Sequence, residues 1–269
     1  MAELRQDERG VDVTFASGRA ERFDLLIGSD GIHSEVRGTV FGDDAARVHL
    51  DTYVAFWTAD NHLGLADESV MYSEPGRSIG MRTILGGSKV MAFFTFRGGE
   101  PAYHHRDTET QKRITELRGA GMGWEAAPLL AQVRTADDFY FDACAQIKLD
   151  SWARGRVGLI GDAAYCASPL SGHGATIAMV GAYVLAGELA TAGGDHTVAF
   201  ARYRERLAPW IARIQDGAAA NGRMMTPQTD LGIWFRSTLT RLTERLPAKA
   251  LLVRDQVKMS NAFVLPRYA

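Results

Sequence analysis

The stretch Gly155-Arg-Val-Gly-Leu-Ile-Gly161-Asp162-Ala163-Ala164-Tyr165-Cys166-Ala-Ser-Pro169-Leu-Ser-Gly172-His173-Gly174-Ala175-Thr176 constrains the fold more than any other part of the chain. Residues 156–160 are a short apolar β run that stops at a Gly-Asp pair. A loop with Pro169 and two glycines follows, and then a helix of small and apolar residues over 174–189, expected to be buried all round. Asp162 stands at a strand's C-terminal end, where α/β sheets place ligands, and its carboxylate can accept from a sugar or polyol hydroxyl. Gly172 and Gly174 let a planar ligand lie against the backbone. The helix N-terminus at Gly174, Ala175 and Thr176 favours negative charge on that ligand by about 0.3–1 kcal/mol. A loop that merely connects would hold random polar residues, not a small-residue run entering a helix.

A second block, Asp24-Leu-Leu-Ile-Gly-Ser-Asp30-Gly31-Ile-His-Ser34-Glu-Val-Arg37, repeats the theme of strand, tight glycine turn and helix start. Such a turn exposes backbone N–H groups to an anion. Ser34 is placed to cap the helix, and a plain capped corner explains the block equally well.

The rest of the chain bounds the answer. With 269 residues there is material for one large domain or two modest ones. A net charge of -2 argues against nucleic acid as a partner, since phosphate binding needs a basic surface. Cys144 and Cys166, with no CxxC spacing, suggest neither a disulfide framework nor a metal, and a reduced, cytoplasmic setting is the simplest expectation. No run of about 18 consecutive apolar residues suggests a membrane span.

Residues 11–27 read as a β-hairpin whose second strand, 23–27, is buried on both faces. Segments 53–58, 69–73, 79–85 and 90–96 read as an antiparallel sheet rich in aromatics and methionine. Residues 108–118 and 124–135 look helical, 139–149 returns to strand, and 195–220 and 231–246 are long helical stretches. The mixture predicts an α/β or α+β class, of which α/β is the expectation.

Taken together and in this order, the two blocks resemble the family of FAD-dependent aromatic hydroxylases, which includes the bacterial tetracycline-inactivating monooxygenases. The first matches the family's DG motif at Asp30, Gly31, Ser34 and Arg37. The second matches its GD motif at Gly161, Asp162, Ala163, Ala164, Pro169, Gly172 and Gly174. The resemblance implies that Asp162 holds the ribityl chain of FAD, that Pro169 lies by the isoalloxazine, and that the amides of Gly174–Thr176 face its N1–O2 edge. Asp30 and Arg37 would serve the flavin and the nicotinamide donor. It also implies a flavin reduced by NADH or NADPH that hydroxylates a small aromatic or polyketide-like substrate through a C4a-hydroperoxyflavin. No residue is assigned as catalytic acid or base. Tyr165 stands where many members have His, His173 where Gln is frequent, Thr176 where Asn is frequent, and Gly181 where an acidic residue is usual.

The family's GxGxxG unit needs roughly 30 residues, yet only 22 precede Phe23 and they carry no such fingerprint. Gly119-Ala-Gly121-Met-Gly123 follows a helical stretch and has the wrong spacing. The expectation is therefore a truncated form, or a half that needs a missing N-terminal chain. An inactive remnant and a different flavin oxidoreductase of the same fold stay open as alternatives. The predicted division is residues 1–46 as partial FAD-binding domain, 47–137 as substrate domain, 138–192 as FAD-domain return, and 193–269 as C-terminal helices. On the substrate sheet, alternation puts Met91 and Phe93 on one face, which Trp57, Met71 or Met81 would join against a flat apolar ligand.

Overall fold

The computed structural model describes residues 1–42, 46–99, 101–245 and 262–268. They fall into two compact units, one built from Met1–Val48, Ala145–Ala219 and the C-terminal stretch 262–268, the other from His49–Cys144 and residues 220–245.

The first unit opens with an antiparallel sheet of β1 (Glu3–Gln6), β2 (Val11–Thr14) and β3 (Ala20–Phe23). The predicted hairpin forms around Ser17-Gly18, but its second strand is β3, largely exposed, and Leu26–Gly28 is a separate strand, β4. The apolar run 23–27 is thus divided between two sheets, and β1 was not anticipated from the charged N-terminus. Helix α1 (Glu35–Phe41) follows the DG turn.

In the second unit, β5 (Ala46–Asp60), β6 (Ser69–Glu74), β7 (Arg77–Ile84) and β8 (Lys89–Arg97) form a sheet in the order β6-β7-β8-β5, extended beyond β5 by β9 (Tyr140–Lys148). Helices α2 (Thr108–Gly119) and α3 (Ala126–Ala131) precede β9. Leu129 and Leu130 of α3 join Trp57, Ile79, Met81 and Phe94 of the sheet in one buried cluster.

Back in the first unit, β10 (Ala153–Arg154) and β11 (Val157–Leu159) join β4, with β11 and β4 parallel over three residues each. Then come α4 (Asp162–Tyr165), α5 (Gly174–Thr191) and α6 (His196–Met225), whose last residues lie in the second unit, and there α7 (Asp230–Arg245) closes the described helices. Helix α6 turns Tyr203, Leu207, Ile211 and Ile214 inward onto Leu159, Tyr165 and Ile177. Helix α5 is not buried all round: Ile177, Gly181, Val184 and Leu185 face the core, while Met179 is 68% and Tyr183 45% exposed. It is also the one described helix long and apolar enough to cross a bilayer, over 18 residues at mean hydropathy 1.3. Its buried Glu188 pairs with Arg206 at 2.5 Å and accepts from Tyr268 Oη at 2.8 Å, which ties the inner face of the helix into the protein.

Candidate functional site

Two residues beyond β11, φ turns positive at Gly161 (+60°), and a Cβ there would meet that of Ala178 at 3.2 Å. The backbone therefore calls for glycine, and the space beside it is tight. Asp162, half-buried, is the first residue of α4. The loop beyond is built from its own side chains. Ser171 Oγ donates to Ser168 O at 2.8 Å and accepts from His173 N at 3.1 Å. Ser168 sits at φ 76°, ψ 148°, a region nearly restricted to glycine, so the loop stores strain of about 1–3 kcal/mol next to the helix start.

That loop leaves one side open. Pro169, Gly172 and Ala175 are exposed, Gly174 and Thr176 half-buried, and Cβ atoms built on Gly172 or Gly174 would meet nothing within 4 Å. His173 caps α5 only by its backbone, its ring being buried with Nδ1 at Ser171 O, 2.5 Å away. Among the described residues no hydrogen-bond partner meets the N–H groups of Gly174, Ala175 and Thr176, so α5 presents bare amides there. This is an anion-favouring end beside a flat, open stretch of backbone.

The DG turn stands in a different relation to the loop. Asp30 accepts from Glu35 N at 2.7 Å, from Val36 N at 3.1 Å and from Ser34 Oγ, while Ser34 Oγ accepts from Arg37 N at 2.9 Å. Asp30 and Ser34 together cap α1, and Gly31, at φ 77°, makes the turn between them. Arg37 is buried, its Nη1 donating to Ala163 O at 3.0 Å and its Nη2 to Ile32 O at 2.6 Å. Burial pushes its pKa down, with the Asp30 charge opposing. The structure thus brings Arg37 and Ala163 together as a clasp joining the two motifs, and it engages Asp30 within the protein.

Two supports escaped the sequence reading. Tyr203 of α6 donates to Tyr165 Oη at 2.9 Å and lies 3.2 Å from Leu159 O. Gln215 Nε2 donates to Ile147 O at 2.9 Å and Cys166 O at 3.1 Å. Both hold the GD segment from behind, and burial raises the pKa of both tyrosines. The available signal was polar groups lodged among the inward apolar positions of α6. Tyr165 and Gly181 are in contact: a Cβ at Gly181 would collide with Tyr165 Oη. With Tyr165 in this rotamer, a side chain at position 181 would force the phenol to shift.

On the substrate-type sheet the register separates the expected trio. Phe93 pairs with Phe56 and Gly80, and Met91 with Thr58 and Arg82, making an open face of half-buried and exposed side chains that also holds Met71. Trp57 pairs with Ala92 and is 1% exposed in the core on the other face, as is Met81 at 0%. Trp57 therefore belongs to the core cluster, and Phe56 takes its place beside Phe93. The Trp57 indole nitrogen has no hydrogen-bond partner among the described residues.

A strand-end turn with open backbone and bare amides, in a chain whose α/β unit is interrupted by a five-stranded antiparallel sheet, puts the chain among the α/β proteins, whose ligand sites lie at strand ends. A family model described as an FAD binding domain matches residues 1–214. A flavin-dependent monooxygenase from an unknown prokaryotic organism is 43% identical over 272 residues, covering 98% of this chain and 66% of that relative. A flavin-dependent monooxygenase of Legionella longbeachae is 38% identical over 273 residues, with coverage of 98% and 66%. The crystal structure of tetracycline destructase Tet(51) superposes with a TM-score of 0.83 at 33% identity, over 98% of this chain and 69% of that one. The chain belongs to the family of FAD-dependent monooxygenases of the aromatic-hydroxylase type. It spans 66% of the length of the first of these relatives.

Proposed function

We propose that this chain supplies the isoalloxazine side of an FAD site and the substrate sheet of a monooxygenase that hydroxylates a small aromatic or polyketide-like molecule, with NADH or NADPH as electron donor. The observation that carries the reading is the set of bare amides at Gly174, Ala175 and Thr176 beside the open backbone of Gly172. A planar ring that gains negative charge on reduction suits that end of a helix. When bound, the flavin supplies hydride acceptance and oxygen activation. The chain's own residues position it: Asp162 accepts from the polyol chain, Pro169 and Gly172 border the ring, and the α5 amides hold its pyrimidine edge. Gly161 and Ala163 shape the turn. Gly31, Asp30 and Arg37 act through the backbone, Arg37 by fixing Ala163 O and Asp30 by fixing α1.

For the substrate, Met91, Phe93 and Phe56 offer an apolar and aromatic surface, and Arg82, without an ion pair in the described structure, offers a donor to an enol or carboxyl oxygen. The same reading assigns residues 1–46 and 138–192 to the cofactor, 47–137 to the substrate and 193–269 to support, in a cytoplasmic protein.

The test is the visible spectrum after FAD is added and free flavin removed by gel filtration. A retained flavin band that bleaches with NADPH or NADH, and is at least tenfold weaker in Asp162→Ala, is the expected result. A colourless wild-type protein, or Asp162→Ala binding as well as wild type, would overturn the proposal.

A further inference from the structure

Helix α7 carries its amphipathic pattern inside out. Its inward contact is polar: Arg236 donates to Met225 O at 3.0 Å and Ser73 Oγ at 2.7 Å, fastening α7 to the end of α6 and to β6. Its outward face is apolar, with Leu231 74%, Trp234 62%, Phe235 63%, Leu239 41% and Leu242 53% exposed. At 3.6 residues per turn these five positions form a single stripe, a pattern that ordinarily faces a core. Trp234 lies at one edge of it. Along the other edge, between α6 and α7, runs a cavity of about 260 Å³ walled by Met224, Gly232, Phe235 and Leu239, with Arg223 and Arg236 also lining it.

We propose that this face is a homodimer interface and that its occupant is a second copy of the chain. A self-complementary surface must carry both a projection and the recess that accepts it, because a two-fold axis brings the same patch against itself. Trp234 and the cavity meet that condition. They flank the stripe on opposite edges and at the same height along the helix, so a dyad parallel to α7 sets each Trp234 against the other copy's cavity. An indole entering there meets apolar walls and the guanidinium groups of Arg223 and Arg236, a favourable cation–π arrangement. The five exposed side chains and Met224, itself 58% exposed, offer on the order of 500 Å² per protomer, or about 1,000 Å² for the pair, the threshold for a specific interface.

Sedimentation equilibrium of the whole chain, from about 1 to 200 µM, tests this. The expected result is a reversible dimer with a micromolar Kd, weakened at least tenfold by Trp234→Glu and by Ala220→Phe, which fills the recess from the exposed side of α6. Circular dichroism melts unchanged from wild type would show that both variants fold. A monomer throughout the range overturns the proposal, as does a dimer indifferent to both substitutions. A monomer that co-sediments with phosphatidylcholine–phosphatidylglycerol vesicles overturns it in favour of a lipid surface. A monomer in which Trp234 resists iodide quenching overturns it in favour of cover by residues 246–261 of the same chain.

Discussion

The sheets of the two units are held by opposite means. The antiparallel sheet of the second unit has one face sealed by apolar packing, with Trp57, Ile79, Met81 and Phe94 all at or below 1% exposure, and the other open around Met91, Phe93 and Met71 but covered at Val54, Ser78 and Thr95. In the first unit the parallel pairing of β4 and β11 is only three residues long, and the turns at its end are secured by polar groups: Arg37 on Ala163 O, Tyr203 on Tyr165, Gln215 on Ile147 O and Cys166 O. A surface that needs only to be flat can be backed by hydrocarbon. A turn that must leave its own amides bare has to be fixed from behind, by groups that bond the carbonyls and leave the N–H side open.

Breaking the apolar half gives the largest effect. Phe94→Ala should cost about 3–5 kcal/mol in urea unfolding, since it opens a cavity in the sealed face. Phe93→Ala, on the open face, should cost much less, and equal losses would refute the division of faces. Breaking the polar clasp comes next. Arg37→Met should lose about 1.5–3 kcal/mol by stranding the carbonyls of Ile32 and Ala163, and should weaken FAD retention with Asp162 intact. A variant that unfolds at the wild-type urea midpoint would remove the clasp from the account.

The coupled pair sharpens the comparison further. Gly181→Asp alone should destabilise by about 1–3 kcal/mol through collision with Tyr165 Oη, and adding Tyr165→His should restore at least half of that. Strict additivity in the double-mutant cycle would break the link.

The smallest effect lies at the exposed end of the first unit, where the Arg22 guanidinium holds the Asp7 carboxyl down to about 2. Because the folded value lies below the unfolded one, this contribution is complete above about pH 4 and fades as pH falls through about 2. Thermal melts from pH 5 to 2 should show a shallower acid-side decline in Asp7→Asn than in wild type, and identical slopes would discard the contact as a source of stability.

Legibility followed the range of the interactions. The strand, Gly-Asp pair and loop of residues 155–176 were readable because glycine, proline and aspartate act on the backbone beside them, and Ser34 announced its cap for the same reason. The apolar run 23–27 could not be divided in advance, since which strand pairs with β2 and which with β11 is a matter of partners about 10 and 130 residues away. Helix α5 read as wholly buried because composition reports how apolar a helix is and not which of its sides is covered.

By itself, the sequence determined the α/β class, the two motif turns, the placement of Asp162 at a strand end and the alternation along β8, all consequences of local backbone chemistry and a period of two. Only the tertiary structure decided that Trp57 shares a face with Ala92 and not with Phe93, that Arg37 grips the GD turn, that Tyr165 and Gly181 are in contact, and that α7 turns its apolar stripe outward. Each of these depends on register or on a contact between distant segments, and such contacts are set by how whole elements pack, about which a single segment carries no information.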